Sequence, residues 1–293
     1  DTLWDACHLS PSGNASLAIP AGIKDSCLLV ITAQNMIPYY KTIYFGDVSA
    51  PFITAGDVVF DDSEGNGDGI PDYGEPVKLI VTVKNIGKVS TSELTASLSV
   101  ASGMLTIGAD TAVIGILLPG ESRIIAGKFS FDISDEVKDG ELASLMLSLQ
   151  DNTKVFRFGI DMTLHAPVLR IVSAIHDDSS LGNSNFLPDP GETLHLKVRV
   201  RNEGSSSASG TVSVTPAGSW LSLKEPQVTT GVIMPGEEKE LLIESTISLL
   251  SGSGMVIPFD VNFVCGNYEA KGRWSLSTGK TRETFEFGRF DVF

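Results

Sequence analysis

Residues 71–87 read Pro71-Asp72-Tyr73-Gly74-Glu75-Pro76-Val77-Lys78-Leu79-Ile80-Val81-Thr82-Val83-Lys84-Asn85-Ile86-Gly87. Residues 188–204 read Pro188-Asp189-Pro190-Gly191-Glu192-Thr193-Leu194-His195-Leu196-Lys197-Val198-Arg199-Val200-Arg201-Asn202-Glu203-Gly204. The offset is 117 residues, and 9 of the 17 positions are identical. Further on, Leu118-Pro119-Gly120-Glu121 matches Met234-Pro235-Gly236-Glu237 at an offset of 116. A register held over so much chain marks an internal duplication.

Both copies alternate with period two. Val77, Leu79, Val81 and Val83 share one face, and Lys78, Thr82 and Lys84 the other. Leu194, Leu196, Val198 and Val200 repeat this against His195, Lys197, Arg199 and Arg201. Such alternation is a half-buried strand of an antiparallel sheet. Asn-x-Gly ends each strand, where Gly is expected to supply a positive φ, and each Pro-Gly-Glu is a turn before another strand. Working outward, Leu94 to Val100, Phe129 to Ile133, Leu145 to Leu149, Val212 to Val214 and Ile257 to Phe263 alternate in the same way. No stretch holds a 3.6-residue period beyond a turn or two. Short strands between turn signals predict an all-β chain of tandem sandwiches, each made of two antiparallel sheets.

The composition agrees. Of 293 residues 42% are hydrophobic and 19% charged, which is too apolar for a disordered chain. The length allows two or three cores. No apolar run approaches the roughly 20 residues a membrane span needs, so no membrane insertion is expected. The net charge of −15 opposes nucleic acid and anionic lipid. The three cysteines are too few for a disulfide scaffold. Cys7 and Cys27 either bridge neighbouring strands or, with Cys265, are small buried apolar residues. A start at Asp1 without Met or signal peptide reads as a processed or excised fragment.

Chemistry concentrates in one loop. Asp61, Asp62, Glu64, Asn66, Asp68, Asp72 and Glu75 fall within fifteen residues, separated by Gly65, Gly67, Gly69 and Gly74. Calcium takes roughly six to eight oxygens from carboxylates, amides and carbonyls on a flexible loop. The candidate ligands are Asp62, Asn66, Asp68, Asp72 and Glu75. The competing reading is that these side chains cap turns by accepting from nearby backbone N–H groups. Glu75 and its counterpart Glu192 read as turn holders rather than catalytic acids. The second copy offers Asp177, Asp178, Asn183, Asn185, Asp189 and Glu192, with fewer carboxylates.

No catalytic set emerges. Cys7 and His8 are adjacent, and neighbours on a strand face opposite ways. No Cys/His cluster has zinc-ligand spacing. The Gly65-x-Gly67-x-Gly69 run precedes a strand and is acidic where a phosphate would sit. Trp4, Trp220 and Trp274 are either sugar-stacking platforms or packing residues.

Gly65 to Glu75, followed by a strand ending in Asn85-x-Gly87, resembles the CARDB type of immunoglobulin-like adhesion domain. The second copy keeps Asp189-Pro190-Gly191-Glu192 and Asn202-Glu203-Gly204, but has Asn183-Ser184-Asn185 in place of Asn66-Gly67-Asp68. The segment from Leu28 through Ala33-Gln34-Asn35 and Pro38-Tyr39-Tyr40 is similar to the domain that follows the catalytic domain in gingipain-like cysteine peptidases. Glu283 to Phe290 resembles the start of a further β domain of large secreted surface proteins.

These resemblances imply a division into a partial immunoglobulin-like β domain (1–50), two CARDB-like sandwiches (51–165 and 166–282) and a tail or further domain (283–293). They imply a noncatalytic spacer or adhesion region, secreted or on the outer cell surface. Its expected partners are a surface protein or glycan and an upstream catalytic domain. The alternatives are a dedicated glycan- or protein-binding module and a strand-exchanging assembly subunit.

Overall fold

The computed structural model describes residues 3–10, 13–20, 26–45, 50–100, 103–152 and 154–279. The expected continuation at 283–293 lies outside them. Every regular element among the described residues is a strand.

In the first half, β3 (Ile53–Asp61), β4 (Pro76–Asn85), β8 (Ser122–Ile133) and β6 (Leu105–Ala109) form one antiparallel sheet in the order β3-β4-β8-β6. The facing sheet is β10-β9-β5-β7, from β10 (Val155–Leu164), β9 (Glu141–Gln150), β5 (Leu94–Val100) and β7 (Thr111–Gly115). In the second half, β11 (Leu169–Asp177), β12 (Thr193–Asn202), β16 (Glu238–Ile247) and β14 (Leu221–Leu223) take the order β11-β12-β16-β14. Their partner sheet is β15-β13-β17-β18, from β15 (Gln227–Ile233), β13 (Ala208–Pro216), β17 (Val256–Cys265) and β18 (Tyr268–Ser277). Matched by sequence order, the two halves have one topology.

The alternating runs become strands that are buried on one face. Val77, Leu79, Val81 and Val83 are at most 1% exposed, as are Leu194, Leu196, Val198 and Val200. They pack into two separate cores, one centred on Phe129 and Phe131 and the other on Phe259 and Phe263. Each such side chain contributes roughly 1.5–3 kcal/mol by leaving water. Register breaks recur at matched places: between Leu94 and Thr95 opposite Gly115 (φ 84), and between Gly210 and Thr211 opposite Gly231 (φ 61).

The Asn-x-Gly corners work differently from the sequence expectation. Gly87 and Gly204 do not have positive φ. They are needed because a Cβ would stand 2.5 Å from Ala50 O at Gly87 and 2.3 Å from Ala166 O at Gly204. The asparagines beside them are wholly buried and fully bonded. Asn85 Nδ2 donates to Val89 O (2.9 Å) and Leu117 O (3.1 Å), and its Oδ1 accepts from Phe52 N (3.2 Å) and Gly87 N (3.0 Å). Asn202 repeats this with Ser206 O (2.7 Å), Ile233 O (3.2 Å), Val168 N (3.3 Å) and Gly204 N (3.1 Å). Positive φ falls instead on Gly120 and Gly236 of the Pro-Gly-Glu turns.

The N-terminal region holds an antiparallel hairpin of β1 (Ser26–Ile31) and β2 (Tyr39–Tyr44). The alternation at Ala15, Leu17 and Ile19 forms no strand, and Leu17 and Ile19 are exposed. Without a neighbouring strand among the described residues to complete the backbone ladder, an alternating run is not enough. The three cysteines are free, and the shared expectation of burial holds only for Cys265, since Cys7 is exposed and Cys27 half-buried.

Candidate functional site

The acidic loop joins β3 to β4 and folds back on itself through its own carboxylates. Glu75 Oε1 accepts from Asn66 N (2.7 Å) and Oε2 from Asp72 N (3.1 Å). Asp62 Oδ2 accepts from Gly69 N (2.7 Å). Asn66 Oδ1 accepts from Asp68 N (2.9 Å), and Asp68 Oδ1 from Ile70 N (2.9 Å). Asn66 Nδ2 donates to Asp72 Oδ2 (2.7 Å). Gly65 is required here, because a Cβ would lie 2.0 Å from Glu75 Oε1.

The loop joining β11 to β12 has the same wiring. Glu192 accepts from Asn183 N and Asp189 N (both 2.8 Å), and Asp178 Oδ2 accepts from Phe186 N (2.8 Å). Asn183 Oδ1 accepts from Asn185 N (3.0 Å), and Asn185 Oδ1 from Leu187 N (2.8 Å). One difference stands out. Asp189 Oδ2 receives two amides, Asn183 Nδ2 (2.9 Å) and Asn185 Nδ2 (2.8 Å), whereas Asp72 Oδ2 receives only Asn66 Nδ2.

The five candidate ligands therefore share one loop, with Asp62, Asp72 and Glu75 buried and Asn66 and Asp68 exposed. Among the described residues no three His, Cys, Asp or Glu side chains converge closely enough to hold a metal ion on their own. Each loop leaves one buried carboxylate oxygen without a hydrogen-bond partner, Asp72 Oδ1 in the first and Asp178 Oδ1 in the second. Asp72 is 3% exposed and its Oδ1 has no hydrogen-bond partner. Burial pushes its carboxyl above the ordinary range. The Ser206 hydroxyl beside it lowers it in part, and the Asp68 charge pushes it up again. Burial likewise raises Glu75, and the charges of Asp62 and Asp72 add to this against the two loop N–H donors.

The same loop reaches the second sandwich. Asp72 forms an isolated parallel bridge with His165, the first residue after β10. His165 N donates to Pro71 O (3.0 Å), and Tyr73 N to His165 O (2.9 Å). The Tyr73 ring meets Tyr268 edge-on at 5.1 Å, and its hydroxyl lies 3.7 Å from Cys265 Sγ. Tyr268 OH donates to Val137 O (2.7 Å). Burial holds the Tyr73 phenol well above its ordinary value and pushes Tyr268 up to about 12.

Beside this pair, the Ser205 hydroxyl donates to Asp139 Oδ1 and lies 2.6 Å from His165 Nδ1. The order is carboxylate, hydroxyl, imidazole. A nucleophilic relay would put the imidazole between the other two. The arrangement fastens one sandwich to the other. Sequence reasoning missed Asp139, Ser205 and Tyr268, which are far apart in the chain and lie in no motif.

The tryptophans divide. Trp274 packs on the second core, while Trp4 and Trp220 are 41% and 36% exposed. An open groove of about 680 Å³ runs between the hairpin and the first sandwich, past Phe45, Phe52, Ile86 and Phe156. Among the described residues no carboxylate, histidine or cysteine lines it. Lys154 Nζ stands over the Phe52 and Phe156 rings at 5.6 and 5.2 Å.

Fold and loops define an all-β chain of sandwich domains. No family model and no curated protein matches it. Among solved structures it is similar to a transglutaminase of red sea bream, at 12% identity over 78% of this chain and 31% of that one, with a TM-score of 0.28. The chain thus spans about a third of that protein's length, and at that score the likeness carries no argument.

Proposed function

We propose that the chain is a noncatalytic spacer and adhesion region of a secreted or surface protein, built of CARDB-like sandwiches. The parent on this reading is a gingipain-like cysteine peptidase whose catalytic domain precedes these residues. Its partners are a protein or glycan at the cell surface. The observation that carries the reading is the shared topology of the two halves, each pinned at its corner by a four-bonded, buried asparagine. Such units resist deformation and position what they connect. Against catalysis stand the order of the Asp139, Ser205 and His165 contacts and the exposure of Cys7. Peptide hydrolysis by the purified chain that is abolished by Cys7→Ala would overturn the proposal.

The reading includes calcium at the first loop, through Asp62, Asn66, Asp68, Asp72 and Glu75. Its support is the buried Asp72 Oδ1, which has no hydrogen-bond partner, a state Asp178 Oδ1 shares in the second loop. A carboxylate without a partner in a dry place is costly, and a cation offsets that cost. Amide, carbonyl and water oxygens complete the coordination, since the acids do not converge alone. Calcium at about 100 times its dissociation constant adds about 2.7 kcal/mol to the native state, a rise of several degrees in melting temperature. Calorimetry checks this. The rise is expected in the native chain and is lost in Asp68→Ala. An unchanged midpoint at millimolar calcium would leave the turn-capping reading.

A further inference from the structure

One end of the second sandwich receives the first. At that end Val168 N donates to Asn202 Oδ1, and Tyr268 lies opposite Cys265 at the start of β18. Tyr73, carried on an acidic loop between Asp72 and Glu75, meets the Tyr268 ring edge-on at 5.1 Å. The first sandwich has the same end. There Phe52 N donates to Asn85 Oδ1, and Phe156 lies opposite Leu149 near the start of β10. Among the described residues no sandwich docks on it. It opens instead into the groove of about 680 Å³ that the β1–β2 hairpin walls on its other side.

The groove is shaped before anything enters it. Phe52 and Phe156 meet edge-on at 6.2 Å in its lining. The Phe52 backbone is held on both sides, by buried Asn85 at its N–H and by Ile86 N, which donates to its carbonyl at 2.8 Å. β3 and β10 are the outer strands of their sheets, so each turns one row of backbone groups away from its ladder. Lys41, Lys154 and Arg157 stand around these apolar walls. None of the three forms an ion pair with a described residue. The contact of Lys154 Nζ with the two rings positions its charge without neutralising it. The chain carries 36 acidic residues against 21 Lys and Arg, yet the described lining holds cations and no carboxylate. An apolar cleft with a few converging polar groups has the form of a binding site. Here its charge is opposite to that of the molecule.

We propose that this groove binds an acidic polypeptide segment of a partner protein, with an aromatic side chain seated beside Phe52 and Phe156 and carboxylates facing Lys41, Lys154 and Arg157. Tyr73 on its acidic loop is the internal precedent, at the equivalent end of the second sandwich. The free backbone rows of β3 and β10 suit a segment that runs extended. A neutral glycan fits poorly, because its hydroxyls would go unpaired against the phenylalanines. The proposal goes beyond the adhesion reading, which names no surface. Its failure would leave that reading resting on the shared topology of the two halves.

Isothermal titration calorimetry of the full chain tests this with an acetylated, amidated peptide Asp-Glu-Phe-Gly-Glu-Asp. Binding is expected at low salt and is expected to weaken as salt rises. The same peptide with Asn and Gln for its acids, or with Ala for its Phe, is expected to bind about tenfold more weakly. Lys154→Glu and Arg157→Glu are each expected to weaken binding about tenfold. Lys128→Glu makes the same charge change at an exposed β8 position outside the groove, and is expected to alter binding by less than about twofold. Phe45→Ala, at a residue outside both apolar cores, is expected to weaken binding from the hairpin side. Melting curves check that each variant folds, and Lys41→Glu on the hairpin replaces any β10 variant that does not. Absence of binding by the acidic peptide would overturn the proposal. Equal losses in Lys128→Glu and Lys154→Glu would overturn it too, since attraction would then be general rather than local. Equal binding of the uncharged peptide would remove the cations from the site. Dodecanoate binding where the peptide does not would make the groove an amphiphile pocket instead.

Discussion

Asn202 shows how much one side chain can hold. Its amide is fully buried and joins four backbone groups from three separate segments. Asn202→Ala leaves Ser206 O, Ile233 O, Val168 N and Gly204 N without this partner. Buried groups left unpaired cost about 1–3 kcal/mol each, with some relaxation. A loss of about 3 kcal/mol or more is expected in denaturant unfolding of the second sandwich, and Asn85→Ala is expected to do the same in the first. A loss below about 1 kcal/mol would mean the corner is held by its backbone alone. The sequence marked this corner but not its mechanism. Asn-x-Gly reads as a turn, whereas the glycine answers to a backbone that a Cβ would meet at 2.5 Å or less and the asparagine to four backbone groups, two of them some thirty residues away. Both are long-range facts, invisible to spacing.

At the scale of elements, period-two alternation was a reliable guide wherever a neighbouring strand existed to complete the ladder. β4, β5, β9, β12 and β17 all bury the predicted face. It misled at Ala15 to Ile19, where the pattern exists without a partner. The two acidic loops were legible as polar, glycine-broken segments between strands. Which acids they bury was not, because burial of Asp62, Asp72 and Asp178 depends on what packs over them. The β1–β2 hairpin is the least supported element. None of its described side chains belongs to either apolar core, and Leu28, Val30, Tyr39 and Tyr40 are exposed. A chain beginning at residue 50 is expected to melt within about 3 °C of the full one, corresponding to roughly 1 kcal/mol. A larger fall in differential scanning calorimetry would show that the hairpin props the first sandwich through the Phe45 and Phe52 groove.

At the scale of the whole molecule, two cores are joined by a small polar seam, and Asp139 is its ionisable anchor. Burial pushes its carboxyl up. The Ser205 hydroxyl, the Ala166 N–H and the Ser205 N–H outweigh this and hold it below the ordinary range, with His165 helping. The unfolded chain therefore takes up this proton more readily than the native one. The stabilisation is complete above the unfolded value, about pH 3.9, and fades as pH falls through the lower native value. Thermal melts of the native chain and Asp139→Asn are expected to differ at pH 7 and to converge below about pH 4. A gap that stays constant with pH would mean that Asp139 acts by shape rather than charge.

Cys265 sits 4% exposed at the end of β17, beneath the Tyr73 hydroxyl that arrives from the other sandwich. Cys7, by contrast, stands in the open. One thiol is thus covered in the folded chain, and the other is reachable in it. The pair makes the chain its own chemical stopwatch: the lag of alkylation at the first behind the second times how often the fold uncovers the end of β17.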